Sequence, residues 1–219
     1  MTMRIIGKSG AMLFVFVLWS HGDSPIPPRA EVITSISGTS FVVMVPAKTD
    51  PQEEREVVLR EPFCACYNVD ADGNLVERWR ASGWYAREVY LSNSGEYLVR
   101  LGPWHRGAAP REGDLGVAFY KNGRLLIQYS VLDLVDDSAD VLPTVSHYKW
   151  LARSAPEREQ NPDPNSILKL EADEEFHLKT CDDIEYVFDI RTGRVLSKTV
   201  APAPRRAQLK PPLRELDGQ

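Results

Sequence analysis

The chain of 219 residues predicts a mainly β protein, twisted antiparallel sheet made of meander hairpins with one or two short helices. Three observations lead there. Short runs rich in β-branched and aromatic residues are bounded by Pro, Gly, Asp or Asn, as strands are. A polar residue and a glycine precede an apolar run four times, in "DGNLV" from Asp72, "SGEYLV" from Ser94, "NGRLL" from Asn122 and "TGRVL" from Thr192. The strongest runs alternate with period two, the mark of a half-buried strand.

Taken in order, "EVITSISG", "SFVVMVPA", "REVVLRE" and "FCACYNV" supply the first strands. Asp72-Gly73 then turns the chain, because glycine accepts the positive φ of a tight hairpin and Asp or Asn is its favoured partner. The glycines at 73, 95 and 123 stand 22 and 28 residues apart, the spacing of successive hairpins in a meander. In "EYLVRLG", Tyr97, Val99 and Leu101 share one face and Leu98 and Arg100 the other. "SVLDLVDD" predicts a short helix capped by the Ser130 hydroxyl, and "SHYKWLARSA" a further helical turn or two. In "IEYVFDI", Ile184, Tyr186, Phe188 and Ile190 face one way, and Glu185, Val187 and Asp189 the other.

This length suits one domain or two small ones and buries a substantial core. Residues 1–22 read as a secretory signal peptide. Arg4 and Lys8 precede the apolar run from Ala11 to Trp19 and a polar, proline-containing exit, with cleavage expected after Gly22. The run falls far short of the about 20 residues a spanning helix needs, so no stable membrane span is expected. Export follows, to a periplasmic or secreted location. The main β domain is expected over 31–153, a linker or long loop over 154–165, a smaller β portion over 166–200 and a Pro-rich tail over 201–219. If the two β portions pack together, they form one continuous domain. The net charge of −5, with both signs scattered, offers no nucleic-acid face. The one basic cluster, Arg205, Arg206, Lys210 and Arg214, sits in the tail.

Several chemistries are tempting and fail on spacing. Asn68, Asp70, Asp72 and Gly73 begin like a calcium loop, but the twelfth position holds Trp79 where a bidentate glutamate is required. Cys64 and Cys66 lack a second ligand pair, so they are a weak signal for zinc. Neither a cofactor nor a metal is expected. No Gly-x-Ser-x-Gly elbow occurs, and no glycine loop opens a helix to hold phosphate. The acids Asp136, Asp137, Asp182 and Asp183 leave a hydrolase as an alternative. Cys64 and Cys66 share one strand face. In an exported protein one of them can pair with Cys181, or all three are small buried hydrophobes.

The loop "GPWHRGAAPREGD" carries Trp104, His105 and Arg106 between two strong strands. Long loops on rigid sheets carry function, and Trp and Arg are favoured anchors, so these three are the expected binding residues. "REVYLSNSGEYLVRLGPW" followed by "DLGVAFYKNGRLLIQYSVLDLV" resembles a blade of the β-propeller repeat proteins over residues 87–135. The resemblance implies a partial propeller-like sheet, with a sandwich as the other arrangement, because too few copies exist to close a ring of four to eight blades. It implies no functional residue. The expected function is a non-enzymatic binding or scaffold protein of the cell envelope, its partner an envelope protein or ligand of unknown identity. A thiol or metal protein built on Cys64 and Cys66 is the remaining alternative.

Overall fold

In this computed structural model, residues 27–50, 57–152, 168–171 and 174–200 are described. The expected leader, linker and Pro-rich tail lie outside the described residues. β1 (Glu31–Thr34) and β2 (Ser40–Val45) pair antiparallel with Thr34 opposite Phe41. Along β2 the alternation is complete. Ser40, Val42 and Met44 are buried, while Phe41, Val43 and Val45 stay half-buried on the opposite face. A small arm, β3 (Lys48–Thr49) paired with β4 (Val58–Arg60), leaves the meander. The chain returns as β5 (Phe63–Val69) and β6 (Leu75–Ser82), giving a first sheet of order β1-β2-β5-β6.

The second sheet follows as β7 (Val89–Leu91), β8 (Tyr97–Leu101), β9 (Leu115–Lys121) and β10 (Arg124–Ser130). Ser130 then caps α1 (Val131–Leu134). Its hydroxyl accepts from the Asp133 amide, and the Asp133 carboxylate accepts from the Ser130 amide, the reciprocal box that satisfies two orphan donors. A 3-10 turn, Ser138–Asp140, leads to β11 (Leu142–Pro143) and β12 (Tyr148–Lys149), which pair with each other. The helical turn expected over "SHYKWLARSA" is therefore strand at Tyr148 and Lys149, where Tyr148 and Trp150 are buried by a sheet rather than by a helix. The third sheet is β13 (Leu168–Glu171), β14 (Glu175–Lys179), β15 (Ile184–Asp189) and β16 (Val195–Val200), again in meander order.

Mainly β, antiparallel and hairpin-built, the chain stacks these three sheets face to face. Val42, Met44, Cys64, Cys66 and Trp79 of the first meet Val89, Leu91, Leu98, Ala118 and Tyr120 of the second. The other face of the second, with Val99, Leu101, Val117 and Phe119, meets Phe176, Leu178, Ile184, Tyr186 and Phe188 of the third, and α1 closes one side with Val131 and Leu134. The smaller β portion thus shares a core with the main one. Full burial of each such large side chain is worth about 1.5–3 kcal/mol. Because the second sheet is covered on both sides, Gly116 to Tyr120 of β9 are buried in succession, and β9 loses the in-out alternation that β2 keeps.

The sheets also repeat one another in detail. Each fourth strand follows a hairpin with a positive-φ glycine: Gly73, Gly123 and Gly193. Each fourth strand then carries one extra residue, a bulge at Arg78, Leu126 and Leu196 respectively. The first turns of the first two sheets use one hydrogen-bond set. Ser35 N donates to Ser40 O and Gly38 N to Ser35 O; Ser92 N donates to Tyr97 O and Gly95 N to Ser92 O. Ser40 N and Tyr97 N in turn donate to the Ser35 and Ser92 hydroxyls.

Candidate functional site

Two of those bulges line an open cleft. Among the described residues, β6 and β10 are edge strands of neighbouring sheets. Between them lies an open cleft of about 720 Å³, lined by Val76, Glu77, Arg78 and Trp79 on one wall and Lys121, Asn122, Arg124 and Leu126 on the other. Ladder counting shows why these side chains reach it. Cys66 pairs with Trp79 and Tyr67 with Glu77, so Arg78 is extruded; Tyr120 pairs with Leu125 and Phe119 with Ile127, so Leu126 is extruded. A bulge re-aims a side chain, and here it sends a guanidinium and an isobutyl group into the same space.

Trp79 forms the floor, its ring 7% exposed and its Nε1 donating to Gly95 O at 2.6 Å. Lys121 is held by Glu96 at 3.1 Å, and Glu77 by Arg80 at 2.6 Å and by the Tyr67 hydroxyl at 2.8 Å. Arg78 and Arg124 form no ion pair or side-chain hydrogen bond among the described residues. The cleft therefore combines two uncommitted guanidinium groups, the apolar Val76 and Leu126, and two strand edges with backbone donors and acceptors. Guanidinium groups pair with carboxylates, and an edge strand can take an added extended segment. Nothing in the sequence pattern singled these residues out, because a bulge is a mismatch between two strands and neither strand shows it alone.

The residues expected to bind sit elsewhere and divide. Trp104 is 50% exposed and stacks on His147 at 4.3 Å between ring centroids; Arg106 is exposed and its backbone bridges that of His147. His105 turns inward. Its Nε2 donates to Leu115 O at 2.7 Å, its Nδ1 lies 3.3 Å from Asp114, and its ring stacks on Tyr148. The Tyr148 hydroxyl donates to Asp114 at 2.6 Å. Burial works to raise the Asp114 carboxyl, but the Tyr148 hydroxyl, the Arg111 amide and the nearby His105 and Arg111 charges outweigh it and hold it below its ordinary value. The loop is thus clasped to β12 by a His-Asp-Tyr cluster, leaving Trp104 and Arg106 at the surface.

The acids and thiols have structural employment. Asp136 pairs with Lys198 at 2.6 Å and its amide donates to Asp182 at 2.8 Å. Asp137 caps the 3-10 turn, and Asp183, at positive φ, pairs with Lys179. Cys64 and Cys66 do share a face, fully buried between the first two sheets; Cys181 packs against the other core, and all three are free thiols. The pairing of Cys64 or Cys66 with Cys181, one of the two alternatives, is not made in this structure. Desolvation pushes Cys64 up to about 12 and Cys66 up to about 11. Among the described residues, no three His, Cys, Asp or Glu side chains gather into a metal-holding group, and no helix is long and apolar enough to cross a membrane.

Fold and site together define a layered all-β protein with an open basic and apolar cleft between two sheet edges. No family model matches the chain, and no curated protein does.

Proposed function

We propose that the protein is an exported, non-enzymatic binding or scaffold protein of the cell envelope, and that the β6–β10 cleft takes an extended, acidic and apolar segment of a partner. One observation carries the reading: two bulges on facing edge strands aim Arg78 and Leu126 into one cleft that also holds the uncommitted Arg124. An extended peptide adding to such an edge gains affinity from main-chain hydrogen bonds and specificity from alternate side chains. Export is supported by the basic start and the apolar run from Ala11 to Trp19. Trp104 and Arg106, on the loop at the other end of the second sheet, would make a separate contact.

The test is affinity capture from envelope extracts of the native host with the wild-type chain and the Arg78→Glu, Arg124→Glu double variant, after the intact mass of the chain has been measured there. A chain lacking its first 22 or so residues, with a partner lost in the double variant, is the expected result. A full-length chain in the cytosolic fraction overturns export. Turnover of an envelope substrate that stops on Asp136→Asn or Asp182→Asn overturns the non-enzymatic reading in favour of the hydrolase.

A further inference from the structure

Gly123 and Gly193 each set an arginine in the same relation to the preceding sheet. A Cβ at Gly123 would meet Trp79 at 3.0 Å and the Arg80 carbonyl oxygen at 3.1 Å, so the turn before Arg124 lies against β6. A Cβ at Gly193 would overlap Ile127 of β10, and the Tyr129 hydroxyl of β10 donates to the Gly193 carbonyl oxygen at 3.0 Å. Arg194 therefore stands to β10 as Arg124 stands to β6. The sequence repeats with it. "NGRLL" enters β10 and "TGRVL" enters β16, and the bulge two residues after each arginine falls at Leu126 and Leu196.

Charge on these three edge strands is one-sided, although the chain as a whole is acidic at −5. β6, β10 and β16 carry Arg78, Arg80, Arg124 and Lys198 against the single carboxylate of Glu77. Glu77 is taken by Arg80, and Lys198 by Asp136 at 2.6 Å. Arg194, exposed like Arg78 and Arg124, forms no ion pair or side-chain hydrogen bond among the described residues. One uncommitted guanidinium thus remains at each edge, and no carboxylate of the three strands is left to answer it. Beside them stand the aliphatic side chains of Leu75 and Val76, Leu125 and Leu126, and Val195 and Leu196, 38 to 64% exposed.

We infer that the acidic segment taken by the β6–β10 cleft continues across β10 to β16, where a further carboxylate pairs with Arg194 and an aliphatic side chain packs on Leu196. The inference rests on the cleft reading and adds the third edge to it. Stacked sheets lie about 10 Å apart, and an extended chain covers about 3.3 Å per residue, so about three residues past the cleft bring a carboxylate to Arg194. Charge complementarity selects an acidic occupant, because the chain's own carboxylates leave these three guanidinium groups unanswered. A protein segment fits better than a lipid surface. It brings carboxylates together with the main-chain donors and acceptors that a strand edge pairs with, whereas a lipid surface answers the charges and leaves the edge groups to water.

Fluorescence anisotropy of the full chain with two labelled peptides of alternating glutamate and valine tests it. One peptide has about four residues, enough for the cleft, and the other about ten, enough to reach β16. The longer peptide should bind about tenfold tighter, the worth of one hydrogen bond to a charged group. Arg194→Glu should bring its affinity down to that of the shorter one with an unchanged far-UV spectrum, and Arg78→Glu should weaken both. Equal affinities, or an Arg194→Glu loss that both peptides share, overturn the inference; the cleft reading stands as long as Arg78→Glu still weakens binding. Failure of both peptides to bind, or binding indifferent to Arg78→Glu and Arg194→Glu alike, overturns the cleft reading as well. Binding to vesicles of anionic lipid in place of the peptides gives the surface to a membrane, and the inference falls.

Discussion

Gly95, Gly123 and Gly193 each meet two demands, a positive φ and room for the neighbouring sheet; Gly38 and Gly73 meet only the first. Alanine at the latter pair should cost about 1–2 kcal/mol for the left-handed backbone. At Gly95, Gly123 and Gly193 overpacking adds about 1–3 kcal/mol more. Urea midpoints of the five variants decide this, and equal losses would mean the turns do not bear on the preceding sheet. The thiols offer a second residue-scale test. Burial raises all three thiols and slows the thiolate chemistry alkylation needs. Cys64 and Cys66 are 0% exposed while Cys181 is half-buried, so the reagent reaches Cys181 alone in the folded state. Iodoacetamide on the native protein should label Cys181 first and the other two only with unfolding. The hairpin glycines were legible in the sequence as turns. Their packing role was not, since the atoms they avoid belong to residues about 30 to 70 positions away.

At the scale of elements, the Trp104 loop is held by Asp114, which gathers Tyr148, His105 and the Arg111 amide. A carboxyl held low in the folded state contributes stability that is complete above its ordinary value near 3.8 and is lost as the pH falls through the lowered one. Asp114→Asn should therefore lower Tm near neutral pH and flatten the decline below about pH 4; parallel Tm profiles for both proteins would remove the clasp from the account. Asp114→Ala should cost about 1.5–3 kcal/mol, the range for hydrogen bonds to a charged acceptor, read by urea unfolding. The sequence located this loop as a long connection between strands. It could not divide Trp104 and Arg106, which face outward, from His105, which faces in, because irregular backbone has no period from which to infer direction.

Across the whole molecule, protection should follow layering. β9 is buried on both faces while β16 is exposed along its length, and opening free energies rise with burial and contact density. Amide exchange followed by mass spectrometry should find Val117 to Tyr120 among the slowest and Val195 to Val200 among the fastest; uniform protection would contradict a stack with one fully covered middle sheet. The same layering explains why the central strand runs of the second sheet were readable as strands while their two-sided burial was not.

What the sequence determined by itself was local: the β class, the hairpins at Gly73, Gly95, Gly123 and Gly193, and the cap at Ser130. Each depends on φ preference, side-chain period or a hydroxyl near its own backbone, all set within a few residues. Only the tertiary structure decided that Tyr148 lies in a strand, that Arg78 and Leu126 bulge into one cleft, and which sheet is covered on both faces. Those outcomes depend on which strands become neighbours, and pairing between distant segments is written in no single stretch of chain.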